Sequence, residues 1–472
     1  MKRKHHFYAP LLKLSVCLMG GIVVAHYATL PLPVVPFLVA TLVAAWVLRR
    51  TPVVQSLVIC AAFFEMGLLA ESSQRHYPEG LGDAPSVEGV QGGLEAVVMS
   101  EPTEKPKTLM MDLTLPRLGE TRRCYIWKDS LSRQLTLGDA LTVRLNDGHF
   151  VRWDGWQPGG NGLQQLSRLQ RVRLRALLLR HRLLSRYRLL NVGDEQYAVL
   201  AAMTLGDKSA LTNELRQTYS VAGASHILAL SGLHLGIIYF LLMSITGRRR
   251  RSWLVQLLLV LCIWAFAFVT GLSPGVVRSA TMLTVYAIFS IGGRDRMSVN
   301  ALCLTAIVML LINARSLFDV SFQLSFASVF AILLFLPLFE GIQGPDFCFR
   351  HPFLNKLWSL ATVSLAAQMG VAPLTAYYFG SFPTYFLLTN FVVIPAATVI
   401  LYGTLCALIF PPLGTLLGWV VKLLNAFLDI VAQLPMASIT NLHPTVVQVC
   451  LYYAVIGCLY GILHKLYARP SL

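Results

Sequence analysis

Two blocks of long apolar runs flank one polar stretch in this chain of 472 residues, and that alternation sets its architecture. Runs near the ~20 residues an α-helix needs to cross a bilayer fall at 11–28, 33–48, 52–70, 226–246, 252–270, 276–292, 298–313, 322–339, 357–376, 384–409, 413–432 and 446–463. They predict a polytopic α-helical membrane protein of about twelve spans, in which short or Pro-broken runs can be re-entrant. The expected organisation is N-terminal transmembrane helices over residues 1–70, a polar β domain over 71–162, a basic helix over 163–190 and a second transmembrane block over 191–472.

Within the polar stretch the period changes from helical to two-residue. Segments 94–100, 108–115, 122–128, 140–145 and 149–156 alternate with β-branched or aromatic residues, and Gly, Pro, Asn and Asp punctuate the gaps. Five short strands suit a small antiparallel barrel or, nearly as well, a five-stranded sandwich fragment. From 163 to 190 there is neither Gly nor Pro. Leu166, Leu169, Val172, Ala176, Leu179, Leu183, Tyr187 and Leu190 step by three or four residues, predicting one helix with one apolar stripe. Arg168, Arg171, Arg175, Arg182 and Arg186 lie on one flank of it, and Arg173, Arg180 and Arg188 on the other. An amphipathic helix of this kind suits the headgroup plane, its guanidinium groups reaching for lipid phosphates. The same arginines would also serve as a polyanion collar at a channel mouth.

The formal net charge is +16, yet only 13% of residues are charged and 55% are hydrophobic, which excludes an ordinary soluble domain. Residues 86–162 hold nine Lys/Arg against ten Asp/Glu, so the β domain is not basic. The excess sits in the arginine helix and in short loops: Lys2-Arg3-Lys4, Arg49-Arg50, Arg248 to Arg251, Arg294 and Arg296, Arg350 and Lys356, and Lys465 with Arg469. The positive-inside rule assigns that side, with both termini, to the cytoplasm and the β domain to the exterior. A basic start and apolar first run resemble a signal peptide, but no small-x-small cleavage site is evident, so an uncleaved anchor is expected. A nucleic-acid surface on the β domain would rest on Arg122, Arg123 and Lys128 with Tyr125 and Trp127 interleaved; the alternation favours Tyr125 and Trp127 as core instead. Of nine cysteines only Cys124 lies in the exterior stretch, and no C-x-x-C spacing occurs, so neither a disulfide framework nor a metal site is expected.

The second block carries four motifs in order. They are L-G-D-K-S-A-L followed by A-S-H-I-L-A-L-S-G-L-H-L-G, then G-L-S-P-G-V-V-R-S-A-T-M, then F-D-V-S-F-Q-L-S-F, then A-P-L-T-A-Y-Y-F-G leading to Asn390 and Pro395. Together they resemble the ComEC competence family, the inner-membrane channel through which single-stranded DNA enters during natural transformation. The resemblance covers essentially the whole chain. It implies an OB-type β domain, a bacterial cytoplasmic-membrane location and partners that handle DNA: a cytoplasmic ATPase or helicase, a DNA receptor and a nuclease. It also admits a homo-oligomer. Many members of that family carry a metallo-β-lactamase-like domain. No H-x-H-x-D-H cluster occurs in this sequence, so any nuclease would be a separate protein.

Physical chemistry weighs the individual residues. Arg278 follows the Ser273-Pro274-Gly275 break by one turn, where a charge must pair, line water or snorkel to the headgroups. Ser321, Gln323 and Ser325 can line a polar conduit or bond between helices. His226, Ser231, Gly232 and His234 stand at the mouth of an apolar run, and Ser231 with His234 admits a hydrolase reading. No acidic residue or oxyanion motif accompanies that pair, so no enzyme activity is expected. Gly232 and Gly236 read as close-packing positions. Pro274, Pro373, Pro383 and Pro395 interrupt apolar runs, as broken helices around a cavity do. No nucleotide-binding G-x-x-x-x-G-K-[ST] occurs, and no cofactor is implied. A transporter of another anionic substrate, such as a lipid or polysaccharide precursor, fits the same arginine helix and broken spans.

Overall fold

The computed structural model describes residues 9–28, 34–75, 94–117, 120–146, 150–247, 252–291, 299–342 and 352–468. Lys2, Arg3, Lys4, Arg248 to Arg251, Arg294, Arg296, Arg350 and Arg469 lie outside them. Helices α1 (Pro10–Tyr27), α2 (Val34–Val47) and α3 (Pro52–Arg75) pack together at the start of the chain. Reciprocal glycines set the closest approach: a Cβ on Gly21 would lie 2.0 Å from the Phe64 carbonyl oxygen, and one on Gly67 2.2 Å from that of Leu18. In lipid, where no hydrophobic effect drives helices together, such backbone contact supplies the packing.

Six strands follow: β1 (Leu94–Val98), β2 (Thr103–Glu104), β3 (Thr108–Leu115), β4 (Glu120–Trp127), β5 (Ala140–Asn146) and β6 (Phe150–Pro158). β1 pairs antiparallel with both β3 and β5, β3 with β4, and β5 with β6, while β6 meets β4 in parallel. The five longer strands therefore close into a ring, which a sandwich fragment would not do. On β4, Cys124 and Ile126 point into the core and Trp127 is 40% exposed, so Trp127 is not the core residue that the alternation favoured.

The stretch 163–190 is not one helix. A short α4 (Gly162–Gln165) precedes α5 (Arg168–Tyr187). Ser167 separates them with a reciprocal cap, its Oγ accepting from Gln170 N at 3.2 Å and its N donating to Gln170 Oε1 at 2.9 Å. The expected stripe holds at Leu166, Ala176, Tyr187 and Leu190, which are buried, but Leu169 and Val172 are 82% and 41% exposed, and the buried face also takes in Leu174, Leu177 and Leu184. The reason is protein on both sides. Leu174 and Leu177 pack on Val97 and Met99 of the β domain, and Leu184 and Tyr187 pack on Ala201 and Leu205 of the membrane block.

That block comprises α6 (Asp194–Leu205), α7 (Asn213–Val221), α8 (Gly232–Thr246), α9 (Trp253–Val269), α10 (Pro274–Ile291), α11 (Val299–Ile312), α12 (Val320–Ile342), α13 (Pro352–Phe379), α14 (Phe386–Ala407), α15 (Leu413–Gln433) and α16 (Val446–Ala468). β7 (Ser381–Pro383) pairs with β8 (Ser438–Thr440) between them. Each of the expected apolar runs overlaps a helix, although residues 226–231 of the run 226–246 form turns ahead of α8. Eight helices among the described residues are long and apolar enough to cross a membrane, and α8, α9 and α11 are apolar but shorter. The chain is a mostly helical, multi-pass membrane protein. α6, absent from the apolar runs, is buried over all of 198–205 and stands as a post inside the bundle. Pro373 and Pro395 lie within continuous helices and break neither, while Pro274 opens α10 and Pro383 lies in β7.

Candidate functional site

Three helices of the membrane block begin close together. Before α10, Gly271 and Leu272 both take left-handed backbone, with φ of 79° and 52°. A leucine there is strained, and such strain persists where the surroundings enforce it. Pro274 then starts α10, where its missing N–H costs nothing. α8 opens against the same turn. A Cβ on Gly275 would lie 3.1 Å from the Leu230 carbonyl oxygen, and one on Gly232 3.2 Å from Ser279 Oγ. Gly232 is thus a close-packing position, whereas Gly236 faces open space. α12 joins through Arg278. Its Nη1 donates to Asp319 Oδ2 at 3.4 Å and its Nη2 donates to Ser321 Oγ. Arg278 is 5% exposed, so the guanidinium ends inside the bundle on a carboxylate, not among headgroups.

The histidines sit beside this junction. His234 is fully buried, its Nδ1 accepting from Ser231 N at 3.4 Å and lying 3.4 Å from Ser231 Oγ. That is a long helix cap, and no carboxylate addresses the ring among the described residues. His226 donates from Nδ1 to the Gly223 carbonyl at 3.1 Å and is near enough to His234 to interact electrostatically. Its side chain is exposed.

Further along, Gln323 donates from Nε2 to the Leu317 carbonyl at 3.0 Å and accepts from Tyr378 Oη at 2.7 Å. Pro373 lies between that contact and Gly370, where α13 packs closely on Ala327. Ser325 is half-buried on α12. Asn390 on α14 follows Thr389, which donates to the Ala222 carbonyl at 2.7 Å and so ties α14 to the turn bearing His226. Three of these residues keep a buried polar atom with no hydrogen-bond partner among the described residues: His234 Nε2, Arg278 Nε and Asn390 Oδ1. Each such group costs about 1–3 kcal/mol unless water or a ligand meets it. Asp319 was not among the candidates read from the sequence. The available signal was an acid opening an apolar run, which demands a cation in space.

The basic candidates divide into two kinds. On the β domain Arg123 pairs with Asp112 at 3.2 Å and Lys128 with Glu104 at 2.9 Å, and Arg122 is half-buried. Much of that patch is answered within its own sheet. On α5, Arg168, Arg171, Arg175, Arg182 and Arg186 are all exposed, and none forms an ion pair among the described residues.

Close-packed helix starts, a buried arginine and unsatisfied polar atoms define a polytopic membrane protein with polar groups buried in its bundle. A model of the Competence protein family matches residues 203–466, and the chain belongs to that family. It is 29% identical over 313 residues to ComE operon protein 3 of Bacillus subtilis (strain 168), covering 64% of this chain and 38% of that protein. It is 28% identical over 271 residues to an uncharacterized protein of Aquifex aeolicus (strain VF5), covering 56% of this chain and 62% of that one. The uncharacterized protein YcaI of Escherichia coli (strain K12) is 25% identical over 213 residues, 43% of this chain and 28% of its own length. The chain thus matches less than two thirds of each relative's length. No solved structure matches it.

Proposed function

We propose that this protein is a channel of the bacterial inner membrane that passes single-stranded DNA into the cytoplasm during natural transformation. The observation that carries the reading is that His234, Arg278 and Asn390 are among the buried side chains of the membrane block that keep a polar atom without a hydrogen-bond partner among the described residues. Moving a strand means neutralising about one charge per nucleotide without trapping it. One buried arginine amid hydroxyl, amide and imidazole groups offers weak, successive contacts, which is how conduits balance entry against exit. The exposed arginines of α5 then serve the approach, at the membrane surface or the mouth.

The β domain is read as an OB-type barrel. Its support is the closed ring, with β4 and β6 in parallel. The basic loops support cytoplasmic termini. Ser231 and His234 act as a helix cap in this reading and not as a nucleophile and base, so the protein is no enzyme. A separate ATPase or helicase, a DNA receptor and a nuclease would supply force, capture and strand removal. The test is purified protein in liposomes: labelled single-stranded oligonucleotide should cross and duplex should not. If a deletion strain still brings labelled DNA into the cytosol at the parental level, the reading is wrong. Export of an anionic lipid or polysaccharide precursor would then take its place.

A further inference from the structure

The start of α12 and the guanidinium of Arg278 share one carboxylate. Asp319 Oδ1 accepts from Ser321 N at 3.1 Å, which caps the helix, while Oδ2 accepts from Arg278 Nη1 at 3.4 Å. The second contact is long for a charge-assisted bond, ordinarily about 2.7–2.9 Å. Arg278 is 5% exposed, and among the described residues its donors meet two acceptors, Asp319 Oδ2 and Ser321 Oγ. Its Nε meets none of them. Positive charge is supplied twice here, by the guanidinium and by the first turn of a 23-residue helix. Against it stands Asp319 alone, since no other carboxylate pairs with Arg278 among the described residues. The Asp319 side chain is 47% exposed, and Ser321 beside it is exposed. An arriving anion therefore reaches the carboxylate's place, though not the arginine behind it.

We propose that Arg278, Ser321 and the first turn of α12 form a phosphodiester-binding site whose resident anion is the Asp319 carboxylate, and that a phosphate of the moving strand takes its place. The exchange is one monoanion for another. The guanidinium is neutralised before and after it, so neither state holds the bare buried charge that is so costly. A phosphate also brings further oxygens for the unmet N–H donors, in the geometry that a guanidinium grips with two parallel bonds. The displaced carboxylate, already half in the open, needs no new burial. It stays tethered at the head of α12 and competes for return, so each phosphate is held only briefly, the balance that conduits strike between entry and exit. The source of the ligand rests on the conduit reading, because a phospholipid headgroup carries the same phosphodiester. An internal competitor matters only for a ligand that must move on, which favours the strand.

Chemical rescue tests the site. In purified full-length Asp319→Asn, dimethyl phosphate should raise the thermal unfolding midpoint by about 2–4 °C over chloride at equal ionic strength. A short single-stranded oligonucleotide should do so at lower concentration. Wild type, whose own carboxylate competes, and the double variant of Asp319→Asn with Arg278→Met should both lack this gain. A gain as large in the double variant as in Asp319→Asn, or none in either, overturns the proposal. Phosphatidylglycerol micelles that rescue where the oligonucleotide does not would give the site to a headgroup and defeat the strand assignment. Rescue by dimethyl phosphate in a protein that passes no oligonucleotide in liposomes would keep the site and remove the conduit. Asp319→Ser also caps a helix and is scored by the same rule should Asp319→Asn not fold. If neither folds even when purified in dimethyl phosphate, the idea fails, because the anion should stand in for the lost carboxylate.

Discussion

At the scale of single residues, burial decides which partner of an ion pair matters more. The Arg278 side chain is 6% exposed and that of Asp319 47%. Removing Asp319 strands a buried guanidinium, whereas removing Arg278 leaves a carboxylate that water can reach. Leaving the buried member of such a pair unanswered costs about 3–5 kcal/mol. Asp319→Asn should therefore lower the thermal unfolding temperature in detergent more than Arg278→Met does; equal shifts would remove the asymmetry from the account. For DNA uptake the order should reverse, Arg278→Met losing at least tenfold in transformation frequency while Asp319→Asn retains the cation. Cys124 is a second case. Burial in the β barrel pushes its thiol up to about 11 from a usual 9.0. Below about 9 the thiol is protonated in both folded and unfolded chains. Between those values the unfolded chain alone loses the proton, so this group's contribution to stability declines with rising pH and levels off above about 11. Maleimide at neutral pH should label Cys124 only after denaturation, and rapid labelling of native protein would contradict its placement.

Elements show where local rules hold and where packing overrides them. The Ser167 cap follows the S-x-x-Q signature, and Ser167→Ala should cost about 1 kcal/mol, read as a shift in thermal unfolding. Glycine is different, because sequence alone does not tell a tight approach from an idle one. Gly21 and Gly67 oppose backbone oxygens across α1 and α3, whereas Gly236 meets nothing within reach of a Cβ. Gly67→Ala should overpack the interface by about 1–3 kcal/mol, with loss of monodisperse protein on size exclusion. Gly236→Ala should leave the profile unchanged, and the two behaving alike would count against the interlock. α5 teaches the same lesson from periodicity. A step of three or four residues correctly announces a helix, but several equivalent stripes exist on one so rich in leucine. Neighbouring protein covered Leu174 and Leu177 together with Leu166, and left Leu169 and Val172 outside the buried face.

For the whole molecule, charge is dense outside the bundle and sparse within it. Binding of single-stranded oligonucleotide at the entrance should weaken steeply with salt, by counterion release. Replacing Arg168, Arg171, Arg175, Arg182 and Arg186 together by Gln should flatten the log–log salt slope by about 0.7 for each phosphate no longer neutralised. An unchanged slope would give those arginines to lipid headgroups alone. Vesicle flotation with anionic lipid separates the two roles.

Apolar run length and β alternation are local properties, so the multi-pass class, the β strands and the family were legible in the sequence. It also named Arg278, His234 and Asn390, since polar residues in greasy runs are conspicuous wherever they lie. Pairings across long separations are another matter, because they depend on which helix faces which. That Asp319 answers Arg278, and that α6 is a buried post, emerged from the fold. So did the closure of the strands into a ring and the burial of Glu71 against His26. Each requires a neighbour far along the chain, and no periodicity within one segment encodes that neighbour.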